Sequence, residues 1–168
     1  PYIDAYYALY PMRVPGPHVM HVSSSVTLTV WFGDIDEVLP EWQGFQVDAW
    51  FLDGFTPAKN PDMWTDRLYN HMARLSYDKT TFASFTAAGH VRRGLDAAGF
   101  HVEKVKGFGH KRDMIKGVYS GRALRKADTR PSVAIIGGGL AGCAFAYYAD
   151  LNGMRATIYE ASDNLAAG

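Results

Sequence analysis

The glycine pattern between residues 137 and 142 constrains this chain more than any other feature of its sequence. Gly137, Gly139 and Gly142 match G-x-G-x-x-G, between the β-branched run 133–136 and the apolar segment 140–151. In such a strand, loop and helix the glycines permit a tight turn, a close approach to a pyrophosphate and close packing of helix on strand. The pattern therefore predicts a βαβ unit with a dinucleotide at the helix N-terminus, where backbone N–H groups and the helix dipole favour an anion.

The residues after this helix agree with the prediction. Asn152-Gly153 is typical of a helix end, residues 156–159 are predicted as the second strand, and Glu160 follows Gly142 by 18 residues. An acidic residue near that spacing binds ribose hydroxyls and disfavours a 2′-phosphate, which favours FAD or NAD over NADP. The predicted cofactor-binding residues are Gly137, Gly138, Gly139, Gly142 and Glu160. A tight strand-to-helix turn without a ligand is the alternative.

The earlier part of the chain alternates between predicted strands and helices. Clusters of β-branched and aromatic residues predict buried strands over 26–32, 47–52, 80–85, 100–105 and 114–119. Helices are predicted over 35–39, from an N-cap at Asn60 with Pro61 at the first helical position to near Ser76, and over 89–98. The loop KGFGHKRD is short enough to make the last two strands an antiparallel hairpin. This order predicts the back half of an open α/β sheet that ends in a hairpin.

Two carboxylates follow predicted strands. Asp53 comes directly after the strand 47–52, and Asp34 follows the strand 26–32. Ligands of open parallel sheets bind beyond the carboxyl ends of the strands, so both side chains are predicted to face one crevice. Phe55 offers an aromatic face on which a base could stack. Turn residues that bond their own backbone, and a packed phenylalanine, are the alternatives.

The formal charge is zero, but the charges are unevenly distributed. Residues 1–91 carry 5 Lys/Arg against 10 Asp/Glu, residues 92–130 carry 11 against 4, and residues 131–168 carry 1 against 3. The middle segment can therefore attract a polyanion although the chain is neutral. A solvated face followed by a charged linker is the alternative.

The remaining features predict a soluble cytoplasmic protein. No apolar stretch reaches the roughly 20 residues that span a bilayer, and the first residues do not resemble a signal peptide. The single cysteine, Cys143, can form neither an internal disulfide nor a metal cluster, so no metal is predicted. Because position 1 is Pro and the glycine motif is followed by only one further strand, we expect the chain to be part of a longer protein.

The chain resembles a known family in several stretches. DAWFLDGFTPAKNPDMW, FTAAGHVRRGLDAAGF and KGFGHKRDM, followed by a basic linker and IIGGGLAG, closely resemble the MnmC family of bacterial bifunctional enzymes. These enzymes complete 5-methylaminomethyl-2-thiouridine at the wobble position of certain tRNAs. The resemblance covers nearly the whole chain, and the order of the two domains is more specific than any single motif.

The resemblance implies an organisation in two domains. Residues 1–122 correspond to the C-terminal part of an S-adenosylmethionine-dependent methyltransferase, 123–131 to a linker, and 132–168 to the first βαβ unit of an FAD-dependent oxidoreductase. In the family, the flavin domain removes the carboxymethyl group from 5-carboxymethylaminomethyl-2-thiouridine, and the methyltransferase domain methylates the resulting amine. Because the methyltransferase's own glycine-rich loop and most of the flavin domain lie outside the chain, we expect these 168 residues alone to be inactive and poorly stable.

The resemblance also implies roles for single residues. Asp53 would orient the substrate amine and receive its proton, and Asp34 would accept a hydrogen bond from the adenine amine of S-adenosylmethionine. The residues implied to contact the tRNA are Phe55, Lys59, Arg92, Arg93, Lys106, Lys111 and Arg112. Another flavin or nicotinamide oxidoreductase fused to an α/β domain, and a noncatalytic RNA-binding module, are the competing interpretations.

Overall fold

The computed structural model describes residues 2–23, 25–43, 46–121 and 131–161. The predicted linker over 123–131 lies outside these residues except for Pro131, as do residues 162–168 of the predicted flavin domain. Contacts divide the chain into two units, Gly33–Lys126 and Pro1–Phe32 with Ala127–Gly168. The domain bounds taken from the resemblance stay a prediction.

The predicted strands are present, and a helix and a strand that the sequence did not predict precede them. The helices are α1 (Tyr2–Leu9), α2 (Ile35–Glu41), α3 (Asp66–Leu75), α4 (Gly89–Ala97) and α5 (Leu140–Leu151). The strands are β1 (Gly16–Ser23), β2 (Val26–Phe32), β3 (Val47–Leu52), β4 (Ser76–Ser84), β5 (Phe100–Lys106), β6 (Asp113–Tyr119), β7 (Ser132–Ile136) and β8 (Arg155–Tyr159). Among the described residues, no helix is long and apolar enough to cross a membrane.

The unit that begins at Gly33 contains a mixed four-stranded sheet in the order β3-β4-β6-β5. β3 runs parallel to β4, and β6 runs antiparallel to both β4 and β5. The predicted hairpin is therefore confirmed, with its last strand inserted between β4 and β5. The carboxyl ends of β3 and β4 lie at one edge of the sheet because these two strands are parallel.

Helices α3 and α4 bury apolar faces in the core of this unit. Thr65 caps α3 by accepting a hydrogen bond from the Leu68 N–H at 3.2 Å. Phe82 of β4 meets Phe100 of β5 edge to face, with ring centroids 5.5 Å apart. The cluster of buried residues comprises Leu39, Leu52, Trp64, Leu68, Tyr69, Met72, Leu75, Phe82, Val91, Leu95, Phe100 and Ile115.

The predicted helix start at Asn60 is wrong. Asn60 makes no side-chain capping bond, and Pro61–Met63 forms only a short 3-10 turn. Trp64 ends this turn with its backbone N–H on the Pro61 carbonyl oxygen, so the helix begins afresh after Thr65. The apolar periodicity is real, but the capping threonine rather than the asparagine fixes where the helix starts.

The strand predicted over 26–32 is present but is not buried. β2 pairs antiparallel with β1 in a separate two-stranded sheet, and none of its residues is fully buried. The β-branched and aromatic composition of β2 correctly predicted a strand. Composition does not show which other strand pairs with β2. β2 is thus not a parallel neighbour of β3 within the described residues.

Residues 132–161 form the predicted βαβ unit. β7 and β8 are parallel, with Ser132 opposite Arg155 and Ile136 opposite Tyr159, and α5 connects them. Gly153 ends the helix at a positive φ of 73°, and the Met154 N–H donates to the Ala149 carbonyl oxygen at 2.9 Å.

Candidate functional site

A cavity of about 420 Å³ opens beyond the carboxyl ends of β3 and β4. We call it the Asp53 cavity. Its lining comes from both strand ends, from the loop between β5 and β6, and from β6, namely Phe51, Leu52, Asp53, Ala83, Ser84, Phe85, Phe108, Lys111 and Met114. The prediction that Asp53 faces a crevice at the strand ends agrees with this placement.

Hydrogen bonds fix the backbone on both sides of Asp53. The buried Ser84 hydroxyl donates to the Leu52 carbonyl oxygen at 3.0 Å, which ties β4 to the end of β3. After Asp53, the indole N–H of Trp64 donates to the Phe55 carbonyl oxygen at 2.8 Å. Asp53 therefore stands on a short segment that is held at each end, so its carboxylate can have a defined position.

The loop after Asp53 also packs closely on the 3-10 turn. A Cβ atom placed on Gly54 would overlap the thioether sulfur of Met63. Only glycine lets the loop approach Met63 this closely without a side-chain rearrangement.

The tip of the β5–β6 hairpin supplies the other wall of the Asp53 cavity. The Lys111 N–H donates to the Phe108 carbonyl oxygen at 3.2 Å, and the Gly107 N–H donates to the Arg112 carbonyl oxygen at 3.2 Å. The Lys111 ammonium lies 5.3 Å from the centroid of the Phe85 ring, within reach of a cation–π interaction. A cationic group and an aromatic ring thus flank the same cavity as the Asp53 carboxylate.

Asp113 at the base of this hairpin pairs with two cations. Lys104 Nζ lies 2.9 Å and Arg112 Nε 3.0 Å from its carboxylate. The hydrogen bonds from Lys104 and then Arg112 lower the pKa of Asp113. Arg112 is therefore partly neutralised, whereas Lys106 and Lys111 have no ion partner among the described residues.

Asp34 is the N-cap residue of α2. It caps α2 by accepting a hydrogen bond from the Asp36 N–H at 2.8 Å, and it lines a separate cavity of about 290 Å³ with Asn60, Asp62 and Met63. Asp34 and Asp53 thus line different cavities, and their predicted position in one crevice stays a prediction.

The second cavity, which we call the Asp34 cavity, has acidic residues in its lining. Asp36 lines it, and the Oδ1 atom of Asp36 is buried without a hydrogen-bond partner among the described residues. A buried acceptor without a donor costs free energy. The sequence did not single out Asp36.

The predicted RNA-contacting residues fall into separate places. Arg92 and Arg93 of α4 line a polar cavity of about 280 Å³ with Gly89 and Asp96. Lys106, Lys111 and Arg112 lie on the β5–β6 hairpin.

The two remaining predicted contacts lie on the loop between β3 and the 3-10 turn. The exposed Phe55 lines none of the three cavities, and the Lys59 backbone N–H closes a turn on the Thr56 carbonyl oxygen. The sequence analysis missed Phe108, although an aromatic residue between two glycines at a hairpin tip is a recognisable signal.

The glycine loop has the predicted geometry. Gly137 adopts a positive φ of 102°, and its N–H donates to the Tyr159 carbonyl oxygen at 2.8 Å. A Cβ atom on Gly142 would overlap the Gly137 carbonyl oxygen and lie 3.3 Å from Ile135. Gly139 caps α5 without a side-chain bond, and a Cβ atom there would meet open space. These residues fit a diphosphate approaching the helix N-terminus.

Glu160 folds back onto this loop. Its carboxylate accepts hydrogen bonds from the buried Gly138 N–H and from the Ala161 N–H, the second at 2.7 Å. The thiol of Cys143 donates to the Gly138 carbonyl oxygen at 3.2 Å. The acid at the end of β8 is thus within reach of the glycine loop, as a residue that binds a ribose at this position must be.

Two family models match the chain in the order that the fold suggests. A model described as S-adenosyl-L-methionine-dependent methyltransferase matches residues 1–120, and one described as NAD(P)-binding Rossmann-like domain matches residues 135–167. The predicted fold class is confirmed, namely the back half of a Rossmann-like methyltransferase sheet followed by the start of a dinucleotide-binding domain. The two models support S-adenosylmethionine and a flavin or nicotinamide dinucleotide as the cofactor classes.

Curated relatives carry the name that the resemblance suggested. Two proteins named "tRNA 5-methylaminomethyl-2-thiouridine biosynthesis bifunctional protein MnmC" are each 47% identical to the chain, one from Ectopseudomonas mendocina (strain ymp) and one from Hydrogenovibrio crunogenus (strain DSM 25203 / XCL-2). The matches cover 99% and 90% of this chain but only 27% and 24% of the relatives. The chain therefore spans about a quarter of their length.

A solved structure is also similar. The crystal structure of MNMC2 from Aquifex aeolicus matches with a TM-score of 0.54 and 27% identity, over 68% of this chain and 36% of that one. The predicted resemblance to MnmC proteins is thus confirmed by sequence and by structure. The chain belongs to the S-adenosyl-L-methionine-dependent methyltransferase family whose model matches its first 120 residues, and it continues into a Rossmann-like dinucleotide-binding segment.

Proposed function

We propose that this chain is part of a bifunctional enzyme that modifies the wobble uridine of tRNA. One activity uses FAD to remove the carboxymethyl group from 5-carboxymethylaminomethyl-2-thiouridine, and the other uses S-adenosylmethionine to methylate the amine that remains. The observation that carries the proposal is the Asp53 cavity with its adjoining Lys111, in a chain that also contains the glycine loop. A tRNA substrate places the enzyme in the cytoplasm.

In the methyl transfer, Asp53 orients the acceptor. S-adenosylmethionine, when bound, would supply an electrophilic methyl group, which the substrate amine would accept from the sulfonium sulfur. The attacking amine must be neutral, and it loses a proton when the product forms. An exposed carboxylate fixed beyond the end of β3 can accept a hydrogen bond from the amine and receive that proton.

The Asp34 cavity fits the adenine end of this cofactor. Asp34 and Asp36 both line it, and a carboxylate is a hydrogen-bond acceptor. An exocyclic amine is a donor that would satisfy such an acceptor.

The βαβ unit holds the second cofactor. Gly137, Gly138, Gly139 and Gly142 surround the place where the pyrophosphate of FAD would meet the N-terminus of α5, and Glu160 would bind the ribose. FAD supplies the oxidation that precedes loss of the carboxymethyl group. The acid at position 160 supports FAD over NADP but leaves NAD as the alternative that the flavin measurement below decides.

The basic residues bind the RNA backbone. Arg92 and Arg93 on α4, and Lys106, Lys111 and Arg112 on the hairpin, present charges that attract phosphates. Lys59 and Phe55, both exposed on the loop after β3, offer further contacts. Binding of this kind weakens as salt increases, because each neutralised phosphate releases counterions.

An Asp53→Asn substitution in the full-length protein tests the proposal. We expect methylation of undermodified tRNA to fall by about 10²- to 10⁴-fold, the usual contribution of a general base, while flavin absorbance and removal of the carboxymethyl group stay unchanged. Nucleoside mass spectrometry measures both products. Asp78→Asn, at an exposed site on β4, is the matched control and should behave like the wild type.

The outcomes separate the competing functions. If the wild-type protein forms neither product, the proposed function is wrong. A wild-type methylation rate in Asp53→Asn would favour a noncatalytic RNA-binding role for this region, and a protein without bound flavin would favour a nicotinamide enzyme. The same assay on residues 1–168 alone tests the prediction that this chain is inactive by itself.

A further inference from the structure

Phe108 is the most exposed large hydrophobic side chain among the described residues, with 91% of its surface accessible. An exposed phenylalanine at a hairpin tip loses the free energy that burial would provide. It contributes little to the core, yet it lines the Asp53 cavity together with Lys111. A ring in this position can therefore act on a ligand of that cavity.

The backbone holds this ring in place. A Cβ atom on Gly107 would overlap the Lys111 carbonyl oxygen, and Gly109 adopts a positive φ of 59°. Both glycines permit a tight tip that hydrogen bonds close on either side of Phe108. The ring is therefore presented by a folded turn and not by an extended loop.

The charges around Phe108 identify the kind of ligand. Lys106 and Lys111 have no ion partner among the described residues, and Arg112 is 93% exposed although it pairs with Asp113. Aromatic rings between cations bind unpaired nucleotides, because bases stack on the ring while phosphates meet the charges.

We propose that Phe108 is a stacking platform for an unpaired base of the RNA, next to the nucleotide whose amine reaches Asp53, and that Lys111 binds the adjoining phosphate. The proposal rests on the proposed function and names a contact that the sequence had assigned to Phe55. Phe55 does not line the Asp53 cavity, whereas Phe108 does.

The test compares two RNA probes with full-length protein. One probe is an anticodon stem-loop with unpaired bases, and the other is a duplex of equal length without them. We expect Phe108→Ala and Phe108→Leu to weaken binding of the stem-loop by about 5- to 150-fold, the range for loss of one stacked base, and to leave duplex binding unchanged. Phe108→Trp should bind the stem-loop within about threefold of the wild type, because it keeps a stacking surface.

The salt dependence separates the two contacts. Loss of stacking should weaken stem-loop binding equally at every salt concentration, whereas Lys111→Ala should reduce the slope of log K against log salt by about one phosphate contact. Lys116→Ala is the matched control, since Lys116 already pairs with Glu103 at 3.6 Å, and it should keep the wild-type slope.

Three results would overturn the inference. They are wild-type stem-loop binding by Phe108→Ala, equal binding by Phe108→Leu and the wild type, and a change of oligomeric state in Phe108→Ala by light scattering. The last result would make this surface a protein contact. A wild-type protein that neither binds nor methylates tRNA would instead contradict the proposed function itself.

Discussion

The Asp53 cavity is lined by side chains from β3, β4, β6 and the β5–β6 hairpin, whereas the glycine loop is made by the backbone of residues 137–142. The first lies above a large buried core, to which Leu52, Phe82 and Ile115 belong. The glycine loop belongs to the βαβ unit, and the buried apolar residues among the described residues of that unit are Ile135 and Ala149. A site built from tertiary contacts and a site built from local backbone thus occur in one chain.

The two sites differ in how well they tolerate a side chain in place of a glycine. Close approach at the glycine loop is to a carbonyl oxygen that belongs to the backbone, since Gly142 faces Gly137. Close approach beside the Asp53 cavity is to the end of a flexible side chain, since Gly54 faces Met63. Backbone atoms cannot move without moving the loop, whereas a methionine side chain can adopt another rotamer.

A pair of glycine substitutions tests this comparison with the largest expected effect. Gly142→Ala forces α5 away from the loop, and overpacking of this kind costs about 1–3 kcal/mol, equivalent to as much as about 150-fold in dinucleotide affinity. Flavin retained after gel filtration of the full-length protein, and titration of the apoprotein with FAD, measure the loss.

Gly54→Ala is the matched control. It should leave flavin binding unchanged and cost less than about 1.5 kcal/mol of unfolding free energy, since Met63 can yield. Equal flavin binding by Gly142→Ala and the wild type would show that the glycine loop is only a turn, which is the alternative reading of the motif.

The same difference decides how much of the molecule could be predicted from sequence. The strand, loop, helix and second strand around residues 137–160 were predicted correctly, because their geometry depends on neighbouring residues. The pairing of β2 was not predicted, because it depends on β1, a strand that the sequence analysis did not identify.

Single side chains show the same limit. Asn60 and Thr65 are both good capping residues, and local preference does not decide between them; the observed cap is Thr65. Phe108 and Asp36 line cavities because of how the hairpin tip and α2 pack, which depends on residues distant in the sequence. The pairing of β5 with β6, by contrast, follows from the predicted hairpin, since its short loop requires these strands to be neighbours.

Glu160→Gln has an intermediate expected effect. The carboxylate accepts from the Gly138 N–H and the Ala161 N–H, and bonds to charged groups are worth about 1 kcal/mol more than neutral ones. We expect FAD affinity to fall about 5- to 10-fold, because glutamine still offers one acceptor oxygen. Fluorescence titration of the apoprotein measures the change, and Asp150→Asn on the exposed face of α5 is its control. Unchanged or tighter binding would remove Glu160 from the cofactor site and leave it a loop contact alone.

Tyr69→Phe has the smallest effect at neutral pH and examines the core of the unit that carries the Asp53 cavity. Tyr69 of α3 is 1% exposed, and its hydroxyl has no hydrogen-bond partner among the described residues. Phenylalanine removes this hydroxyl without leaving another group unpaired, so the free energy of unfolding at pH 7 should change by less than about 1 kcal/mol.

At alkaline pH the same substitution should change the free energy of unfolding measurably. Burial, and then the nearby charge of Asp66, raises the pKa of Tyr69 to about 12 from its ordinary value of 10.0. The unfolded chain therefore releases the phenol proton first, so the stability that the neutral phenol contributes is complete below pH 10.0 and is lost as pH rises towards 12. Tyr69→Phe lacks this loss and should become progressively more stable than the wild type across that interval, as followed by tryptophan fluorescence.

Tyr159→Phe, at a side chain that is 58% exposed on β8, should follow the wild type. Parallel alkaline unfolding curves for Tyr69→Phe and the wild type would mean that this core admits water, which would remove the contrast in burial between the two sites.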